Sequence, residues 1–137
     1  MKVLFVAGFG PITKDVDASS AFYLDTLGIP MEQDPDGYTH TDKLPGANAF
    51  ALWPLSRAAQ STFGTDTWPE DVPAPQAWLE FDVDDIETAT AELTAKGYNV
   101  LVSARTEPWG QIVTRLLGPE GLLVGVTVTP WMRGGEV

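Results

Sequence analysis

The chain carries one strand–helix pattern twice, and this repeat limits its fold more than any other feature. The first copy is Asp15-Val-Asp-Ala-Ser-Ser-Ala-Phe-Tyr-Leu-Asp-Thr-Leu-Gly28, and the second is Asp84-Asp-Ile-Glu-Thr-Ala-Thr-Ala-Glu-Leu-Thr-Ala-Lys-Gly97. Each runs from an aspartate suited to cap a helix to a glycine suited to end it, with the same 13-residue separation. Each follows an apolar run, Val3–Ala7 or Trp78–Val83, and each is closed by a turn and a further apolar run. Pro45-Gly46 leads into Ala47–Trp53, and Glu120-Gly121 leads into Leu122–Val128. Two units of one kind predict a duplicated fold with a cleft in or between the units.

The spacing predicts a strand over 3–9, a helix capped by Asp15 or Asp17 and stopped by Gly28, and short strands over 31–33 and 38–41. Asp34-Pro-Asp-Gly37 joins those two strands as a turn. A fourth strand is expected over 47–53. Residues 55–75 read as a connector, with one short helix near Ser56–Thr62, because 54–75 holds four of the eleven prolines. The second unit repeats the order, with a strand over 77–83, a helix over 85–96 and strands over 99–103, 110–117 and 122–129. The expected division is a half-unit 1–54, the connector 55–75, a half-unit 76–130 and a loosely held tail 131–137. At 137 residues this is one domain, α+β in class, built of two βαβββ half-units as a curved mixed sheet with outer helices.

The net charge is −11, from eight Lys and Arg against nineteen Asp and Glu. Nucleic acid is a poor partner for such a surface, since phosphates need clustered cations. Solubility and attraction of cationic small molecules are the two readings of that charge. The absence of cysteine removes disulfides, thiolate nucleophiles and cysteine-bound zinc, and fits a cytoplasmic protein. No apolar run is long enough to span a bilayer, and the N-terminal residues read as a first strand, so no membrane partner is expected. No serine lies in a nucleophile-elbow setting, and Gly8-Phe-Gly10 lacks what a phosphate loop requires.

The order of these pieces resembles the vicinal oxygen chelate superfamily, which includes glyoxalase I, bleomycin-resistance proteins and extradiol dioxygenases. The pieces are Asp15 with Ala21-Phe22-Tyr23 and Leu27-Gly28, Phe81-Asp-Val-Asp-Asp85, Glu107-Pro-Trp-Gly110 and Gly118-Pro-Glu-Gly121. The last differs from the family's Asp-Pro-Asp-Gly turn in having Gly118 first. The resemblance implies a concave sheet that holds a ligand or a divalent metal, and a homodimer that completes the clefts. The family's metal-ligand places fall on Gly8 or Phe9, Phe50, Trp78 and Gly125, none of which offers a ligating side chain. No metal and no other cofactor is therefore expected.

Alternation puts Trp78 and Glu80 on one face of strand 77–83, and Gln111, Val113 and Arg115 on the inward face of strand 110–117. It also turns Asn48, Phe50 and Leu52 to the same side. Phe9, Phe50, Trp78, Glu80, Trp109, Gln111 and Arg115 are thus the expected ligand-binding residues, mixing apolar walls with a few polar anchors. Alternatives stay open for each. The aromatics could plug a dead cavity, Glu80 and Arg115 could be an internal ion pair, and His40 could be structural. The expected function is metal-independent binding of a small organic molecule, aromatic or cationic, with sequestration of a toxic compound as one form. Whether it is an enzyme is left open. A glyoxalase- or isomerase-like activity on a small carbonyl compound would use Glu80, His40 or Glu107, and a structural module with a filled cavity is the third reading.

Overall fold

The computed structural model describes residues 1–133. Eight strands form one mixed sheet in the order β2-β3-β4-β1-β5-β8-β7-β6. The strands are β1 (Val3–Thr13), β2 (Glu32–Gln33), β3 (Thr39–Thr41), β4 (Phe50–Pro54), β5 (Ala77–Val83), β6 (Val100–Thr106), β7 (Ile112–Leu117) and β8 (Leu123–Val128). The order is the sequence repeat made spatial. In each unit the first and last strands pair in parallel, and the two units meet where β1 and β5 run antiparallel.

Both repeated helices begin as expected. Asp15 accepts from the Ala18 amide at 3.0 Å, and Asp85 accepts from the Thr88 amide at 3.1 Å, each satisfying a donor that the first helical turn leaves free. Gly28 and Gly97 follow with φ of +72° and +85°, a left-handed conformation that favours glycine. The bodies of the helices differ. α3 (Ile86–Ala95) is regular, but α1 (Val16–Ser20) runs into a π-helical stretch, Ala21–Thr26. There the Leu27 amide reaches back to Phe22 O at 3.0 Å and the Thr26 hydroxyl to Ala21 O at 3.0 Å, so the turn is wider than the periodicity predicts. The connector helix is present as α2 (Leu55–Phe63).

Two apolar clusters hold the layers together. Val83, Ile86, Ala89 and Val126 join α3 to the outer face of the sheet. Ile12, Ala51, Trp53, Ala58, Ala59, Trp68, Trp78 and Leu123 pack α2 and the connector against the inner face. The connector therefore fills part of the concavity and leaves the rest open. Among the described residues no helix is long and apolar enough to cross a membrane. The tail expected over 131–137 is described only for its first residues. Pro130–Met132 form a 3-10 turn and Arg133 is bonded to Asp82, while residues 134–137 lie outside the described part.

The tightest backbone approach is at Gly10, where an added Cβ would lie 2.0 Å from Ala51 O. Gly10→Ala is expected to destabilise the protein by about 1–3 kcal/mol or more. Asp85→Ala, which loses only a cap, is expected to cost about 1 kcal/mol. Urea unfolding of both variants checks the ranking.

Candidate functional site

The open part of the concavity is a cleft of about 540 Å³. Its floor comes from strand faces. The inward face of β5 supplies Trp78 and Glu80, and that of β7 supplies Arg115, which lies opposite Gly125 of β8. The tight 107–110 turn, closed by Gly110 N donating to Glu107 O at 2.9 Å, delivers Glu107 and Trp109 to the same place.

At the centre lies Arg115, which is 1 % exposed. Its Nη1 donates to Glu107 Oε1 at 2.9 Å, its Nη2 lies 3.6 Å from Glu80 Oε2, and its guanidinium sits 5.2 Å from the Trp53 ring centroid. The Nε of Arg115 is buried with no hydrogen-bond partner. Gln111 donates from Nε2 to Glu80 Oε1 at 2.8 Å and to Thr127 Oγ1 at 2.9 Å, while its Oε1 accepts from Trp109 Nε1 at 2.8 Å. A hydrogen-bonded line thus runs from the exposed Trp109 to the buried Glu80. Burial raises the Glu80 pKa above its ordinary value of 4.5, with Arg115 and Gln111 opposing the rise.

Of the seven expected residues, Trp78, Glu80, Trp109, Gln111 and Arg115 line the cleft. Phe9 and Phe50 do not. They pack together with ring centroids 5.4 Å apart, and Phe50 meets Tyr23 at 5.9 Å, under the π-helical stretch on the opposite face. The cause at Phe50 is parity. Ala49 and Trp53 line the cleft, so Phe50 and Leu52 point away. Phe50, Ala51, Leu52 and Trp53 are all buried, and a strand covered on both faces shows no alternation to read. At β1 a register shift between Val6 and Gly8 settles the one-residue ambiguity, pairing Gly8 with Glu80 and Phe9 with Leu79.

The rim holds what the sequence reading missed. Tyr38, Arg57, Trp131 and Met132 all line the cleft. Asp34 and Asp36, read as turn residues, also face it. Asp34 Oδ1 lies 2.8 Å from His40 Nε2, and Asp36 accepts from Arg57 Nη1 at 3.1 Å. Tyr38 stacks on His40 with centroids 5.4 Å apart, and its pKa is raised by burial and then by Glu80.

The metal places of the resembling family do not fit a metal here. An added Cβ at Gly8 would lie 2.8 Å from the Trp78 ring, and one at Gly125 would lie 3.0 Å from the Glu80 side chain. Glu80 and Glu107 are committed to Arg115, and among the described residues no three His, Cys, Asp or Glu side chains converge.

The family model of the Glyoxalase/Bleomycin resistance protein/Dioxygenase superfamily matches residues 9–126. The chain belongs to this superfamily. No curated protein matches. Solved structures share the fold. Methylmalonyl-CoA epimerase from Mycobacterium tuberculosis aligns with a TM-score of 0.58 at 18% identity, over 96% of this chain and 93% of that one. A superfamily member from Vibrio splendidus gives 0.55 at 18%, over 87% and 94%. Streptomyces coelicolor methylmalonyl-CoA epimerase, in complex with 2-nitronate-propionyl-CoA, gives 0.51 at 18%, over 92% and 97%.

Arg115→Met would leave Glu80 and Glu107 buried without a counter-charge, and is expected to cost about 3–5 kcal/mol at neutral pH. Glu80→Gln is expected to behave oppositely. A carboxyl with a raised folded pKa stabilises the fold below its ordinary value of 4.5 and loses that contribution as pH rises through the folded value. The melting temperature of Glu80→Gln relative to the unaltered protein should therefore climb as pH is taken from 4 to 8. A constant or falling difference contradicts the burial argument.

Proposed function

We propose that this superfamily member binds a small aromatic cation without a metal, and that sequestration of such a compound is its role. The observation that carries the reading is the lining of the cleft. Four of the five tryptophans, Trp53, Trp78, Trp109 and Trp131, surround it together with Tyr38. Among the described residues that line it, Asp34, Asp36 and Glu80 stand against Arg57 and Arg115, three carboxylates to two guanidiniums. Aromatic faces and an acidic excess both favour a flat, positively charged guest. The volume suits a ligand of drug size. The committed donors and the glycines at the metal places support binding without a metal.

A second reading has its own support. Glu80 is held with a raised pKa in the same cleft as a histidine oriented by Asp34, a pairing suited to proton transfer on a small carbonyl compound. The acidic lining disfavours the polyanionic coenzyme A esters bound by the epimerases of like fold.

The expected setting is a cytoplasmic homodimer of single-domain chains, each of two half-units. Val3, Val6 and Phe9 on β1 and Phe22 in the π-helical stretch are large apolar residues left exposed, and they offer an apolar patch. A second copy presenting the same patch is the partner it suits.

Calorimetric titration at pH 7.5 with 9-aminoacridine, a planar cation, and acridine, its neutral counterpart, tests the reading. The cation is expected to bind at least tenfold more tightly, with quenching of tryptophan fluorescence, and methylmalonyl-CoA is expected not to bind. Equal affinity for the two acridines would remove the charge argument. Elemental analysis after dialysis should find well under one equivalent of Ni, Zn, Mn or Fe per chain. Light scattering at micromolar concentration should give a dimer mass.

A further inference from the structure

One buried carboxylate takes no part in the Arg115 cluster. Asp82 is 0 % exposed, on the inward face of β5 two residues beyond Glu80. A carboxylate so placed needs donors, and all of those it has come from the end of the described chain. Thr129 donates to it twice, from Oγ1 to Oδ1 at 2.5 Å and from its amide to Oδ2 at 3.1 Å. Arg133 donates from Nε to Oδ2 at 2.8 Å, and its Nη2 donates to Val83 O. These bonds grip both ends of the turn Pro130–Met132, which among the described residues has two backbone bonds of its own, Met132 N to Thr129 O and Arg133 N to Pro130 O. The turn buries none of its residues, and Trp131 is 55 % exposed. Apolar packing therefore does not fix its place. Yet Trp131 and Met132 form one wall of the cleft.

We propose that Asp82 is a positioning residue for ligand binding. By clamping Thr129 and Arg133 it holds Trp131 against the cleft, so that the ring meets a guest already placed. This rests on the aromatic-cation reading above. A ring fixed beforehand loses less freedom on binding than one that must be captured. The clamp acts through the turn that carries Trp131 and Met132 and through Thr129, which line the cleft, whereas neither Asp82 nor Arg133 does.

Two measurements on the full chain separate this proposal from the reading beneath it. The first needs no ligand. The heteronuclear NOE of the Trp131 indole N–H is expected to match the protein's rigid sites, and to fall to values typical of mobile groups in Arg133→Gln. Arg133→Lys, which keeps a donor for Asp82, should recover part of the order. A mobile Trp131 in the unaltered protein, or an unchanged one in Arg133→Gln, overturns the clamp whether or not any ligand binds. The second is a cycle with 9-aminoacridine. Trp131→Ala and Arg133→Gln should each weaken binding roughly two- to tenfold, the range for loss of one stacking ring. Their combined loss should fall short of the sum of the two, because Arg133 acts through the turn that carries Trp131. Additive losses overturn the proposal. Asp82→Asn is expected to match Arg133→Gln, and the arginine variants decide the matter should Asp82→Asn fail to fold. Failure of the unaltered protein to bind 9-aminoacridine would overturn the aromatic-cation reading and, with it, the assignment of Asp82 to ligand binding.

Discussion

The buried guanidinium of Arg115 is the constraint around which the inner face is arranged. A charge with 1 % exposure must be compensated in place, and three elements supply what it needs. β5 brings Glu80, the 107–110 turn brings Glu107, and β4 brings the face of Trp53. Gln111 then satisfies Glu80, and Trp109 satisfies Gln111, so the cluster extends by hydrogen bonds from the interior to the rim of the cleft. In so buried a place an unpaired polar group is costly, so these bonds support one another.

This arrangement occupies the region where the superfamily's fold offers places for a metal. Glycine stands at two of those places, and the space beside each is taken by Trp78 or Glu80. The same scaffold thus carries an ion cluster and aromatic walls, in keeping with the general separation of fold from function. Relatives in solved structures share the frame at 18% identity, which leaves the side chains of the cleft free to differ.

The cleft is assembled from pieces far apart in the chain. The β2–β3 turn gives Asp34 and Asp36, α2 gives Arg57, and the C-terminal turn gives Trp131 and Met132. Each piece is anchored by a side-chain pair: Asp34 to His40, Asp36 to Arg57, Asp82 to Arg133. Some of the nineteen acidic residues are used here to fix the pieces around a pocket.

The sequence by itself determined the frame: two βαβββ units, the caps at Asp15 and Asp85, the stops at Gly28 and Gly97, and the inward set on β5 and β7. These follow from local rules, since a cap, a left-handed glycine or a half-buried strand leaves its pattern within a few residues. Tertiary structure alone decided the rest. Phe50 turned outward because β4 is covered on both faces and its uniformly apolar run held no alternation to read. Phe9 followed from a register shift in β1 that only pairing with β5 reveals. The places of Asp34, Arg57 and Trp131 depend on bonds between residues as much as 51 positions apart, such as Arg133 to Asp82. Contacts of that separation leave no periodicity in the chain, because they are made by folding and not by neighbours.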